Sequence, residues 1–224
     1  MTGGPPIRQR PSPNCGARRG GAQLDMIVLH YTAMEGAEAA MDRLCDPEAE
    51  VSAHYVICAR GSITQLVDEE MRAWHAGAGR WGDVEDVNSR SIGIELDNLG
   101  THPFSEPQMM ALEELMRGIM ARWSIPPERV IGHQDMAPAR KFDPGPRFDW
   151  QRLARAGLSV WPEPARGEPA RFRADAALFG YRADASETAV LEAFRARFRP
   201  GATGEADEAD AGLMRALAEA YPHG

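Results

Sequence analysis

His30 and His133, with Asp143 shortly after the second, form a residue set that could hold a metal ion. Two imidazoles and a carboxylate leave one position of a tetrahedral ion open, the donor pattern of a catalytic zinc site. Zinc held this way lowers the pKa of its water to about 7 and polarises a carbonyl. Hydrolysis then also needs a base to steer the water and a cation or donor for the oxyanion. Glu95 is the candidate base. It interrupts an otherwise apolar stretch, Ile92-Gly93-Ile94-Glu95-Leu96, where a carboxylate is costly unless paired or working. Lys141 is the candidate oxyanion stabiliser. Lysines and arginines together number 25, and Lys141 is the single lysine among them. A lysine offers a compact point charge and an arginine a broad planar fork, so the exception suggests a tight reaction centre.

Each residue has a plainer reading when taken alone. His30 could be a core histidine bonded to backbone, and Glu95 could pair with Arg90 or another arginine. Asp143-Pro144-Gly145-Pro146 could be only a turn. Their joint context is what makes the set specific.

The elements that must position these groups follow from local pattern. Asp25 to Tyr31 (DMIVLHY) is a short apolar run that reads as a buried strand ending near His30. Gly36 to Leu44 reads as a helix stopped by Asp46-Pro47. Val51 to Ile57 and Ile63 to Val67 read as strands joined by a turn at Ala59-Arg60-Gly61-Ser62. Residues 76–90 are a long Gly- and Asp-rich loop. Ser91 to Leu96 is a strand delivering Glu95, and Arg129 to Gly132 is a short one leading into His133. The strongest helix pattern runs from Glu106 to Trp123, capped by Ser105 with Gln108 completing a capping box. Its stripe of Met109, Leu112, Met116, Ile119, Met120 and Trp123 reads as core. Strands alternating with helices imply an α/β domain whose sheet is covered on its faces, and strand ends are where such sheets place ligands.

Composition sets outer limits. The 224 residues, 43% hydrophobic, suit one medium domain with an appendage or two small ones. A net charge of −8 argues against a nucleic-acid partner, which would call for a basic footprint. Cys15, Cys45 and Cys58 are odd in number and widely spaced, so neither a disulfide framework nor a four-cysteine metal site follows. No apolar run is long enough for a membrane span. The start of the chain lacks the apolar core of a secretory signal, which gives an expectation of a cytoplasmic protein, with a periplasmic one as the alternative.

Several separate strings in order, LHYT, VSAHYVI, AWHAG, NSRSIGIEL and GHQDMAPARKFDPGPRFDW, resemble the type 2 family of zinc-dependent N-acetylmuramoyl-L-alanine amidases, whose fold is shared with peptidoglycan recognition proteins. The resemblance covers about Asp25 to Trp161. It implies a mixed central β-sheet flanked by helices and cleavage of the amide between N-acetylmuramic acid and L-alanine. Carried onto this chain, it makes His30, His133 and Asp143 the ligands of one Zn2+, Glu95 the catalytic glutamate and Lys141 the catalytic lysine. Trp74, His75 and Asn88 match segments that line the family's cleft and are assigned substrate contacts. Ala139 departs from the glycine that many relatives carry before the Arg-Lys pair, with no consequence for the chemistry.

The expected organisation is an extended lead-in over 1–24, a catalytic domain over 25–161, a linker over 162–174 and a small all-α three-helix module over 175–224. The module resembles the peptidoglycan-binding domain of some of these amidases through Phe179-Gly180-Tyr181 and the Val190/Leu191/Phe194/Phe198 pattern, half of which any small helical bundle needs. The expected substrate is a muramyl peptide, in its 1,6-anhydro form, met during peptidoglycan recycling. The alternatives are an amidase acting on intact cell wall and a recognition module that binds muramyl peptides without cutting them.

Overall fold

A computed structural model describes residues 7–182 and 184–223. The first six residues of the lead-in, together with Ala183 and Gly224 of the expected helical module, lie outside the described residues. The strands are β1 (Arg8–Gln9), β2 (Cys15–Ala17), β3 (Met26–Tyr31), β4 (Tyr55–Ile57), β5 (Ile63–Gln65), β6 (Met71–Ala73), β7 (Ser91–Leu96) and β8 (Val130–Gly132). The helices are α1 (Ala37–Cys45), α2 (Val87–Arg90), α3 (Glu106–Trp123), α4 (His133–Met136), α5 (Trp150–Arg155), α6 (Phe172–Phe179), α7 (Glu187–Phe198) and α8 (Glu208–Ala220).

Six strands form one mixed sheet in the order β1-β5-β4-β7-β3-β8. β3 lies parallel to both β7 and β8, and β4 and β5 form the antiparallel hairpin that the turn chemistry implies. Because side chains alternate along a strand, β3 and β7 each serve two faces. Ile27, Leu29, Ile92, Ile94 and Leu96 pack with Met109, Leu112, Met116 and Ile119 of α3, so the methionine stripe is core. Met26 and Val28 face the other way and pack with Phe172, Phe179, Phe194, Phe198, Met214 and Leu217 of α6, α7 and α8. His30 follows Val28 on that second face, as Glu95 follows Ser91 and Gly93.

Helix α3 has the bounds its pattern implies, with the Ser105 side chain accepting from the Gln108 N–H. Two regions carry more structure than local pattern shows, and one carries less. The lead-in supplies β1, which extends the edge of the main sheet, and β2, which pairs with β6. The Arg18 guanidinium then donates to the carbonyls of Asn88, Ser89, Ser91 and Glu69. The Gly- and Asp-rich loop closes on the one-turn helix α2, which Asp86 caps by accepting from Ser89 N–H. Of the run Val51 to Ile57, only Tyr55–Ile57 pairs as strand.

Residues 162–168 form no regular element, and they lie against α8: Gly167 N–H donates to Glu208 O at 2.8 Å. A Cβ on Gly212 would fall 2.2 Å from Ala165 O, so that approach requires glycine. Phe179 and Tyr181, on which the wall-binding resemblance rested, are buried against Trp81 with ring centroids 5.4 and 5.2 Å away. All three cysteines are free thiols. Among the described residues no helix is long and apolar enough to cross a membrane.

Candidate metal and catalytic site

The parallel pairing of β3 with β7 sets His30 directly opposite Glu95. The pairing of β3 with β8 brings the start of α4, and so His133, to the same end of the sheet. The chain then returns so that Gln134 N–H donates to Asp143 O at 2.9 Å. Gly132 permits that return, since a Cβ there would sit 2.8 Å from Pro144 Cδ. Residues far apart in sequence thus converge because two parallel strand pairs end level with one another.

The convergence is close. His30 Nδ1 lies 2.9 Å from His133 Nδ1, and Asp143 Oδ2 lies 3.0 and 3.1 Å from these two nitrogens. All three side chains are buried, and they are the group able to hold a metal ion among the described residues. His133 Nε2 is 2.8 Å from Ala76 O; a carbonyl only accepts, so Nε2 carries a proton, which in the neutral ring leaves Nδ1 as the acceptor. Burial, then the neighbouring His133, push His30 down to about 4, so its ring is neutral at pH 7. Two ring nitrogens and a carboxylate oxygen therefore face one another around a common point, an arrangement that a cation would complete. Zinc bond lengths of about 2.0–2.2 Å give tetrahedral ligand separations of about 3.3 Å, a few tenths above those seen. The donor set fits a divalent metal.

Glu95 and Lys141 line the same open cleft of about 460 Å³, with Trp74 and His75 on its wall. Burial, reinforced by Asp143 and partly opposed by Lys141, raises the Glu95 carboxyl to about 8. Its Oε2 is buried and has no hydrogen-bond partner among the described residues, so Glu95 is not the arm of a structural salt bridge. A cation at the adjacent ligand cluster would favour its ionised form.

Asn88 is not among the residues lining this cleft. Its Oδ1 accepts from the N–H groups of His75 and Ala76 at 3.0 and 2.8 Å, clamping the segment whose carbonyl holds His133. His75 lines the cleft, but both its ring nitrogens are engaged, Nδ1 with His30 and Nε2 with Ser91. Neither His75 ring nitrogen is left free for substrate. His54 is a buried histidine of another kind: Nδ1 accepts from Gly93 N–H and Nε2 donates to Met71 O, so it is a backbone support.

Sequence reasoning passed over Arg43, Arg140 and Phe142 on the cleft wall. Phe142, 69% exposed between Lys141 and Asp143, is an aromatic surface beside the His30–His133–Asp143 cluster. Its position between two site residues was the available signal. Arg43 and Arg140 had none, being two arginines among many.

Comparison with known proteins gives concordant results. The profile of a family described as N-acetylmuramoyl-L-alanine amidase matches residues 20–146. The chain is 36% identical over 234 residues to N-acetylmuramoyl-L-alanine amidase AmiD of Escherichia coli (strain K12), covering 89% of this chain and 84% of that protein. It is 34% identical over 163 residues to 1,6-anhydro-N-acetylmuramyl-L-alanine amidase AmpD of Haemophilus influenzae, covering 65% of this chain and 89% of the relative. The structure of E. coli AmiD in complex with anhydro-N-acetylmuramic acid-L-Ala-D-γ-Glu-L-Lys superposes with a TM-score of 0.82 at 35% identity, over 91% of this chain and 92% of that one. AmpDh3 from Pseudomonas aeruginosa in complex with anhydromuramic pentapeptide superposes with a TM-score of 0.76 at 32% identity, over 95% and 96%.

Proposed function

Because the chain belongs to the N-acetylmuramoyl-L-alanine amidase family, we propose that its cleft hydrolyses the amide joining the lactyl group of N-acetylmuramic acid to L-alanine in 1,6-anhydro-muramyl peptides, with one Zn2+ held by His30, His133 and Asp143. The observation that carries this reading is the convergence of two histidine nitrogens and a carboxylate oxygen at 2.9 to 3.1 Å beside an unpartnered buried carboxylate oxygen. The anhydro-muramyl ligands of two similar proteins support the substrate class.

When bound, zinc supplies Lewis-acid polarisation of a carbonyl and a more acidic water. Glu95, opposite His30 across the strand pair, accepts the proton of the attacking water and delivers it to the leaving amine of L-alanine. No hydrogen bond or ion pair engages the Lys141 ammonium among the described residues, which leaves it available to the developing oxyanion. Trp74 and Phe142 flank the entrance and give the substrate apolar surface. The three-helix segment covers the second sheet face, and in this reading its buried aromatic residues support the fold instead of meeting sugar.

Two substrates separate the possibilities. Incubation with anhydro-muramyl tripeptide should release the free peptide, identified by mass spectrometry, and zinc content should be one per chain. Release of peptide from intact sacculi alone would overturn the recycling role in favour of a wall amidase. Binding without release from either would make the protein a recognition module.

A further inference from the structure

The His30 side of the cluster differs from the His133 side. His133 is oriented by a carbonyl, whose role as acceptor is fixed. His30 Nε2 instead meets another histidine, His75 Nδ1, at 3.0 Å. An imidazole nitrogen can be donor or acceptor, so this contact alone leaves open which His30 nitrogen bears the proton. Were it Nδ1, the lone pair needed for a metal would be lost.

We propose that Val87, Ser91 and His75 form a proton-ordering relay that locks His30 in the tautomer able to bind metal. This inference rests on the reading of His30 as a zinc ligand. The order is set from the outside inward. Ser91 Oγ is 2.6 Å from Val87 O, which can only accept, so the hydroxyl proton is committed there. Ser91 Oγ, 3.1 Å from His75 Nε2, must then accept, which places the His75 proton on Nε2. His75 Nδ1 is left as an acceptor, so His30 donates from Nε2 and its Nδ1 lone pair faces His133 and Asp143.

The surroundings hold the relay in register. Ser91, Gly93 and Glu95 occupy one face of β7, and a Cβ on Gly93 would sit 2.4 Å from the His75 ring. Gly93 is therefore the slot that admits the imidazole. The Asn88 side chain clamps the backbone at His75 and Ala76. The same clamp serves both ligand-orienting contacts, since Ala76 supplies the carbonyl that holds His133. His75 is thus a positioning residue, acting through His30 with both ring nitrogens engaged.

The test uses the full chain, metal-free and zinc-loaded. In the metal-free protein, side-chain 1H–15N correlation spectra should show His30 as the Nε2–H tautomer. His75→Phe fills the slot without ring nitrogens and should weaken zinc binding about 10- to 100-fold in competition with a chromophoric chelator. Ser91→Ala keeps His75 but frees it to invert; the His30 Nδ1–H form should become detectable, with a several-fold loss of zinc affinity. Should His75→Phe fail to fold, Ser91→Ala carries the test, because a merely structural serine would alter the melting temperature and not the tautomer. Wild-type protein that binds zinc with His30 as Nδ1–H when metal-free, or Ser91→Ala with both readouts unchanged, overturns the relay. Wild-type protein that binds no zinc overturns the ligand reading itself.

Discussion

Two buried polar clusters near the end of β8 are finished differently. Beneath the helical segment, Arg197 and Asp135 are both fully buried and pair at 2.7 Å. Arg197 also donates to Val130 O and Ser159 Oγ, and its guanidinium lies 4.2 Å over the Trp150 ring. Asp135 accepts from Tyr181 Oη at 2.9 Å and from Gly132 N–H at 2.8 Å. Charge and most hydrogen-bonding capacity are satisfied within the protein, as a structural cluster requires. At the cleft, His30, His133 and Asp143 turn their ligand atoms toward one another, Glu95 Oε2 has no partner and no ion pair holds Lys141 among the described residues. A polar cluster completed from within supports the fold, whereas one left incomplete is where the proposed metal and substrate would act.

This contrast can be broken by experiment. Chelation should have the largest effect, abolishing peptide release while leaving the helical content intact, with zinc restoring activity. Retained turnover in a fully metal-stripped sample would place the chemistry elsewhere. Glu95→Gln should lower kcat about 10²- to 10⁴-fold with zinc content unchanged, the span typical of a lost general acid–base group. Lys141→Ala should cost about 10²- to 10³-fold in kcat; Lys141→Arg then asks whether shape matters beyond charge, and near-normal turnover would remove the argument from the single lysine.

Arg197→Met tests the other cluster. It strands the Asp135 charge and should cost about 3–5 kcal/mol of stability, measured by denaturant unfolding. The folded fraction should keep most of its activity, whereas a loss of turnover exceeding the loss of folded protein would tie this pair directly to His133. The smallest effect concerns pH. Glu95 is raised by burial to about 8, above its value in the unfolded chain, so its protonated form favours the folded state. The metal-free protein should therefore lose stability as pH climbs from the ordinary glutamate range through about 8. Glu95→Gln should flatten that slope, and an unchanged slope would mean that other groups set it.

Much of the site was legible because its residues conflict with their neighbours. Glu95 in an apolar strand and one lysine among arginines both stand out against the local pattern. Helix α3 was legible to its cap, since its periodicity and the Ser105 signal act within a few residues. By contrast β1, β2 and β6 are two or three residues long, too short for any period, and exist because other strands offer them partners. Asn88 looked like a cleft residue because of where its motif falls, yet its side chain serves backbone amides that only folding brings to it.

The chain's own order of residues thus determined which groups could do chemistry, which stretches would be strand or helix, and that the positive end of the site is compact. Tertiary structure decided the rest: that β3, β7 and β8 end level, that Gly93 leaves room for a ring, and which nitrogen of each histidine faces the metal position. The reason is physical. Side-chain type and periodicity are local properties, whereas register and proton placement depend on partners distant in the chain, and a single hydroxyl at Ser91 can set the state of an imidazole that sequence alone leaves undefined.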